Sequence, residues 1–252
     1  MCGRYVAATP PDQLAGLFGV TDIRAGDLGP HWNVAPTMDV YAVAEGSDGG
    51  GSDGGGSDGG GSDGARRLVA FRWGLVPWFS KGPAGAAKMI NARAETVAEK
   101  PSFRRALERR RCILPADGFY EWLRTGQEKL PHLFAAADGS VLGLAGLWEV
   151  WRPKDEPDAE PLRTCAIVTT TANATMAPIH DRMPVVLAPD TWSAWLDRGT
   201  TRASEVAGLL APALDGVLVR RAVSPRVNNV RNDDPGLLEP HPQATLGAPW
   251  EA

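Results

Sequence analysis

The chain has 252 residues, of which 43% are hydrophobic and 22% are charged, as in an ordinary globular protein. Its net charge of −4 belongs entirely to the four aspartates of a Gly/Ser/Asp repeat at 46–64, so the remainder is neutral overall. No apolar run is long enough for a transmembrane helix, and the N-terminus lacks the features of a secretory signal. Three unevenly spaced cysteines do not make a disulfide framework or a zinc site. We expect a soluble, cytoplasmic protein with no metal, cofactor or membrane partner.

In chain order, the first predicted element is a helix that begins at Pro10-Pro11-Asp12, with Leu14 and Phe18 on one side. Residues 31–36 (HWNVAP) are expected to form a loop.

Residues 38–45 alternate in polarity like a strand, and 66–78 resume the same pattern after the repeat. The repeat at 46–64 has a period of five and no apolar side chain. A calcium β-roll has a period of nine with apolar positions, so a flexible linker is the better interpretation. We therefore predict a hairpin whose turn is expanded into a linker.

The rest of the chain alternates short strands with a few helices, which favours an α+β fold with a mostly antiparallel, barrel-like sheet core and peripheral helices. We predict one domain over 1–235, interrupted by the repeat, and a loosely held Pro-rich tail over 236–252. The further predicted elements are a helix over Pro101–Arg111, a strand-turn-strand over 112–124, strands over 132–139, 141–151 and 164–173, helices within 192–212 and a last strand over 216–224.

Residues 66–111 form a basic block with twelve Lys or Arg against three Glu. Such a block suits a polyanion such as nucleic acid, although a solvated helix face is the commoner origin of a charge run. Of the arginines between Arg104 and Arg111, we expect about half to lie on a solvated helix face.

Cys2 is the most informative single residue. If Met1 is removed, Cys2 carries a free α-amine beside its thiol. A 1,2-aminothiol condenses with an aldehyde to an imine, which the thiol closes to a five-membered thiazolidine. Two alternatives remain open from this residue alone: an N-terminal nucleophile that acts on an acyl group, and an inert buried cysteine.

Six motifs occur in order along the chain, namely CGR, WNVAP, RWGLVP, INARAET, CILPADGFYEW and IHDRMP. With them the sequence resembles the SRAP (SOS response-associated peptidase) family, whose members bind single-stranded DNA and crosslink covalently to abasic sites. The resemblance covers residues 1–45 and 65–233. The repeat departs from the family pattern but lies between motifs.

The resemblance implies a role for each matching residue. Cys2 is the nucleophile, Asn91 positions it and the opened sugar, Glu121 is the catalytic carboxylate, and His180 is the active-site imidazole. Arg4 and Arg93 line the DNA backbone path, Thr169 contacts a phosphate, and Trp78 and Phe79 form an aromatic wedge at a single-strand/duplex junction. Asn33, Pro36 and Met89 complete the predicted DNA-binding set.

The residues themselves leave some of these roles open. Glu121 lies between Tyr120 and Trp122, so a plain surface carboxylate is the less favoured interpretation. His180 precedes Asp181, and a structural histidine paired with that aspartate is equally consistent with the sequence. The tryptophans at 122, 148, 151, 192 and 195 are assigned to core packing, whereas Trp73 falls in the basic block with the wedge residues.

We predict an enzyme that senses abasic sites in single-stranded DNA and forms a thiazolidine crosslink through Cys2, with weak AP-lyase activity and removal of its own Met1 as peptidase activity. We expect a monomer that associates with DNA. The alternatives are a cysteine peptidase that uses Cys2 with His180 and a non-catalytic single-strand binding module.

Overall fold

The structure is a computed structural model that describes residues 2–46, 64–126, 128–156 and 158–241. Most of the predicted linker, residues 47–63, and the end of the predicted tail, residues 242–252, lie outside the described residues.

The described residues contain strands in two sheets and four short α-helices. The strands are β1 (Tyr5–Ala7), β2 (Val20–Ile23), β3 (His31–Val34), β4 (Asp39–Glu45), β5 (Arg66–Trp73), β6 (Asn91–Arg93), β7 (Arg111–Ala116), β8 (Gly118–Thr125), β9 (Glu128–Ala136), β10 (Leu142–Trp151), β11 (Leu162–Thr171), β12 (Arg182–Pro184), β13 (Val186–Leu187) and β14 (Leu218–Ala222). The α-helices are α1 (Pro11–Phe18), α2 (Pro101–Arg109), α3 (Trp192–Leu196) and α4 (Ala203–Val206).

A closed ring of five strands forms the barrel predicted from the sequence. Its order is β4, β5, β11, β10, β7 and back to β4, and only the β5–β11 step is parallel. The predicted hairpin across the repeat is confirmed, because β4 and β5 pair in antiparallel register from Asp39–Arg72 to Glu45–Arg66. The predicted α+β class with a mostly antiparallel, barrel-like core is therefore correct.

A second sheet has the order β14, β9, β8, β1, β3 and carries the start of the chain. Strands β7 and β8 follow one another but belong to different sheets, joined through Asp117. The Asp117 carboxylate accepts hydrogen bonds from the backbone N–H groups of Ala8 and Thr9, at 2.6 and 3.1 Å. The chain after β1 is thereby fixed to the junction between the two sheets.

The core continues from the barrel into the second sheet. One cluster of buried side chains contains Cys2 and Tyr5 from the start of the chain, Trp73 from β5 and Phe119 from β8. The Phe119 ring stacks on Phe134 with ring centroids 5.2 Å apart. Burial of large aromatic rings against both sheets stabilises their relative placement, and with it the position of the first residues.

Two local expectations are wrong. Residues 31–34, expected in a loop, form β3, because β1 supplies a pairing partner from distant sequence. The chain beyond Asp234 is not loosely held as far as Pro240, since Leu237 is fully buried and Pro240 forms an isolated bridge with Val223. No helix among the described residues is long and apolar enough to cross a membrane.

Candidate active site

Cys2 lies just before β1 and is buried in the cluster shared by the two sheets. Its Sγ lies 3.9 Å from the backbone oxygen of Arg4, to which the thiol donates a weak hydrogen bond. No disulfide involves it. The residue that the sequence singled out is thus held in a fixed position rather than on a loose end of the chain.

Burial, together with the negative charge of Glu121, raises the pKa of the Cys2 thiol to about 12, against the lowering effect of the N-terminal ammonium. The thiol is therefore protonated at neutral pH. A cysteine peptidase keeps its nucleophile as a thiolate beside an imidazolium. The environment of Cys2 is the opposite of that arrangement.

Asn91 connects Cys2 to the barrel. It begins β6, which pairs with β11 in parallel register at Ile167. Its Nδ2 donates a hydrogen bond of 2.9 Å to the backbone oxygen of Cys2, and its buried Oδ1 has no hydrogen-bond partner among the described residues. The barrel therefore positions Cys2 through its main chain, and the amide oxygen of Asn91 is left available to another donor.

Glu121 and His180 line the same open cleft of about 780 Å³. Glu121 is a buried residue of β8 that lines the cleft, and its negative charge acts on the Cys2 thiol. The cleft is further lined by Arg4, Trp122, Leu123, Arg124, Lys129, Pro178, Ile179 and Asn228. Cys2, Asn91, Glu121 and His180, which are far apart in the sequence, are thereby brought to one place.

Neighbouring residues hold Nδ1 of the His180 ring. Its Nδ1 accepts a hydrogen bond of 2.9 Å from the backbone N–H of Arg182 and lies 2.8 Å from Oδ1 of Asp181. The pairing with Asp181 is therefore present together with a place at the cleft. Nδ1 accepts from Arg182 only when it carries no proton and donates to Asp181 only when it carries one, so the two contacts belong to different tautomers or protonation states of the ring.

Arg4 lies at the edge of the cleft with its charge held in place by neutral groups. It donates hydrogen bonds to Oδ1 of Asn33 and the backbone oxygen of Val227, at 2.7 and 3.0 Å. Its guanidinium also lies 5.8 Å from the centre of the Trp122 ring. Partial burial lowers the pKa of Arg4.

Two predicted residues have a different environment from the one expected. Trp122 was assigned to the core but is only partly buried and lines the cleft, with its Nε1 donating to Oδ1 of Asn228 at 2.6 Å. Asn33 is almost fully buried, and its Nδ2 donates to backbone oxygens of the 227–232 segment. Asn33 thus holds Arg4 and this segment in place rather than facing solvent.

Arg93 and Thr169 form a register pair on β6 and β11 but differ in exposure. Arg93 is exposed, as a backbone-contacting residue requires. Thr169 is fully buried, with its hydroxyl 3.4 Å from the backbone oxygen of Ala92 and its own carbonyl bound by Arg182. The Thr169 side chain is therefore not presented to a phosphate in this structure.

The wedge candidates Trp78 and Phe79 are both exposed, at 51% and 42%. Their rings meet edge to face with centroids 5.7 Å apart, and the guanidinium of Arg105 lies 5.8 Å from the Trp78 ring centre. Two exposed aromatic rings beside a cation match what a nucleic-acid surface requires. Pro36 and Met89 are partly buried, and Met89 packs against the barrel core.

The basic block is only partly a surface feature. Arg110 is buried in an ion pair with Glu149, and Arg111 is buried with its side chain on backbone oxygens that include that of Trp195. Trp73, grouped with the wedge residues in the sequence, is fully buried and belongs to the core. The described residues contain no group of three His, Cys, Asp or Glu side chains placed to hold a metal ion.

Comparison with known proteins gives a consistent result. The family model described as SOS response associated peptidase (SRAP) matches residues 1–230. The "Abasic site processing protein YoqW" of Bacillus subtilis is 37% identical over 96% of this chain and 100% of its own length, and the "Abasic site processing protein HMCES" of Pongo abelii is 33% identical over 95% of this chain and 76% of its own length.

Solved structures share the fold. A crystal structure of a protein from Bacteroides thetaiotaomicron superimposes with a TM-score of 0.77 at 24% identity, over 95% of this chain and 100% of that one. Another, of a protein from Bordetella bronchiseptica, gives a TM-score of 0.71 at 25% identity, over 88% of this chain and 100% of that one.

Proposed function

Because the chain belongs to the SOS response-associated peptidase (SRAP) family, we propose that it processes abasic sites in DNA by crosslinking them to Cys2. Relatives whose names describe abasic site processing cover nearly the whole chain, which supports this substrate. An abasic deoxyribose opens to an aldehyde, and an aldehyde is the group that a 1,2-aminothiol captures. The reaction requires that Met1 be removed so that the α-amine of Cys2 is free.

The bond changes balance with the loss of one water. The Cys2 amine adds to C1′ of the opened sugar to give a carbinolamine, which expels water to form an imine. The Cys2 sulfur then adds to the imine carbon as its proton passes to the nitrogen. The product is a thiazolidine that joins the protein to an intact DNA strand.

Glu121 and His180 are the proton-transfer groups of this proposal. Ring opening, carbinolamine formation and water loss each move a proton, and positioned acids and bases contribute roughly 10²–10⁴-fold to such steps. The two side chains face one cleft, and Glu121 acts electrostatically on the Cys2 thiol. A carboxylate that lines the cleft and acts electrostatically on Cys2 suits a base that serves both the amine and the sulfur.

The state of the thiol favours an order in which nitrogen reacts first. With the pKa of Cys2 raised to about 12, the sulfur is protonated and weakly nucleophilic when the amine attacks. The iminium that follows is a strong electrophile and places a positive charge beside the sulfur, which favours loss of its proton. Sealing of the ring therefore follows imine formation.

DNA is held beside this centre in the single-stranded form. Arg4 and Arg93 contact the phosphates, and the exposed rings of Trp78 and Phe79 insert at a single-strand/duplex junction. A monomer is sufficient for this arrangement. An imine that persists gives a weak AP-lyase activity by β-elimination, and removal of Met1 is the peptidase activity to which the family name refers.

The observation that carries the proposal is the convergence of Asn91 and Glu121 on Cys2. The test is incubation of the protein with a single-stranded oligonucleotide that contains one abasic site, followed by a denaturing gel. A shifted band that survives denaturant is expected from the wild type. C2A should give no stable band, and C2S should give at most an adduct that needs borohydride to trap it.

The same assay distinguishes the alternatives. A cysteine peptidase would cleave a peptide substrate and would not depend on the aldehyde. A non-catalytic binding module would bind DNA equally well in C2A and form no covalent band in the wild type.

A further inference from the structure

The outer part of the β8–β9 hairpin carries an unusual pair of charges. Arg124 and Lys129 are directly opposite each other in the antiparallel register, so their Cβ atoms are about 4.5–5.5 Å apart. Both side chains are exposed. Like charges in this position destabilise a hairpin, and the folded chain derives no benefit from them.

Neither cation is neutralised within the part of the chain that the structure describes. No ion pair or hydrogen bond involves the side chain of Arg124 or Lys129 there. Two exposed arginines elsewhere do have acidic partners, since Arg202 pairs with Glu205 and Arg226 with Asp234. An unpaired, mutually repelling pair of cations indicates a ligand with negative charge.

The pair lies at the cleft that holds the catalytic groups. Arg124 and Lys129 line it together with Arg4, Glu121 and His180. Strand β8 alternates, so Trp122 and Arg124 project from the same face, opposite Pro131 and Lys129 of β9. Arg4, Trp122 and the Arg124–Lys129 pair therefore form one row along the cleft, which Glu121 lines from the other face of β8.

Trp122 gives this row an aromatic surface. Its ring is held by the guanidinium of Arg4 at 5.8 Å and by the hydrogen bond of Nε1 to Asn228, yet it stays partly exposed. A fixed, partly exposed indole between cations is the combination that single-strand binding proteins use, because rings stack on bases while cations follow phosphates.

We propose that Trp122, Arg124 and Lys129 form a second DNA-binding track, which holds the phosphates and one base of the single strand adjacent to the abasic nucleotide. The inference rests on the proposed function for the identity of the ligand and extends it to three residues. The cations attract the strand to the cleft, and the ring fixes the neighbouring base so that the sugar is held in the cleft that Glu121 also lines. The repulsion between Arg124 and Lys129 is relieved when phosphate lies between them.

The test measures the binding of an undamaged single-stranded oligonucleotide by fluorescence anisotropy, at salt concentrations between 50 and 200 mM. Each lost phosphate contact lowers the slope of log K against log salt by about 0.7, so R124Q/K129Q should lower it by about 1.4 and weaken binding about tenfold. The matched control is R24Q/R202Q, which removes the same charge from arginines paired with Asp22 and Glu205 outside the cleft. Its slope should equal that of the wild type.

Substitutions at Lys129 and Trp122 separate binding from folding. K129E makes the hairpin pair attractive, so it should raise the melting temperature while it weakens DNA binding more than K129Q does. W122A should weaken binding with no change in salt slope, because stacking is not ionic, and W122F should restore most of the affinity.

Equal slopes for R124Q/K129Q and the wild type would overturn the track, whatever the crosslinking result. A wild-type protein that binds undamaged DNA through the track but never forms a crosslink would instead overturn the proposed function alone.

Discussion

The side-chain amide of Asn91 donates a 2.9 Å hydrogen bond to the backbone oxygen of Cys2. The bond joins β6, which pairs with barrel strand β11, to the first residues of the chain, across 89 positions of sequence. It fixes the main chain of Cys2 and makes no contact with the thiol. The Asn91 Oδ1, buried without a partner among the described residues, is an acceptor that the α-amine or the sugar can use.

The first prediction concerns this bond. N91A removes both the donor to Cys2 and the free acceptor, so we expect crosslinking to slow by about 10–100-fold through misplacement of the amine. N91D retains an acceptor but loses the donor and should recover part of the rate. Single-turnover crosslinking at saturating DNA measures this, and a normal rate in N91A would exclude a positioning role.

The second prediction concerns Glu121. Its charge raises the pKa of Cys2, so E121Q should lower that pKa and make the thiol more reactive toward an alkylating reagent below pH 9. The same variant should slow crosslinking by about 10²–10⁴-fold, because a proton-transfer group is lost. Faster alkylation with slower crosslinking is the expected combination; slower alkylation would contradict the electrostatic link between the two residues.

The third prediction concerns stability in alkali. Burial raises the pKa of Cys2 to about 12, and it raises the pKa values of Cys112 and Cys165 above 9, so the folded state keeps these thiols protonated where the unfolded chain ionises them. The contribution of these thiols to the free energy of unfolding is therefore fully present below about pH 9. It is lost as the pH rises from there toward the folded pKa values, by up to about 1.4 kcal/mol per pH unit for each thiol.

Urea unfolding between pH 7 and 10.5 measures this loss. C165A removes one of the groups and should flatten the decline above pH 9 relative to the wild type, even if it lowers stability at pH 7. An equally steep decline in C165A would contradict the assignment to buried thiols.

The fourth prediction concerns the ion pair of Arg110 and Glu149, both buried in the barrel. R110A leaves the Glu149 carboxylate buried without this partner, which should cost about 3–5 kcal/mol in the free energy of unfolding. R104A, at an exposed position of the same basic block, should cost less than about 1 kcal/mol. Denaturant unfolding compares them, and equal effects would show that Arg110 is not structural.

The barrel class and the repeat-spanning hairpin could be predicted because alternation of polar and apolar residues encodes strands locally. Strand-pairing partners that come from distant parts of the sequence could not be predicted in this way. Residues 31–34 have loop-like composition and become a strand only because β1 lies beside them. Leu237 is buried although it lies in the predicted tail, since its partners come from β1, β8 and β9.

The site residues also divide into features that the sequence predicts and features that it does not. The motif matches brought Cys2, Asn91, Glu121 and His180 to attention, and the structure brings them together. Exposure could not be predicted from charge or residue type: Arg110 and Arg111 are buried within a basic run, and Trp122 lines the cleft. Arg124 and Lys129 were not singled out by any motif, and only the register of β8 and β9 reveals that they face each other.

The central claim is that the crosslink forms through a free N-terminal amine and thiol on Cys2. The most direct measurement is mass spectrometry of the peptide crosslinked to an abasic oligonucleotide, for the wild type and for a variant with one residue inserted between Met1 and Cys2. We predict a wild-type adduct that starts at Cys2, equals the sum of both components less one water and resists borohydride, and no adduct from the insertion variant. A stable adduct on a chain whose Cys2 amine is blocked would contradict the account.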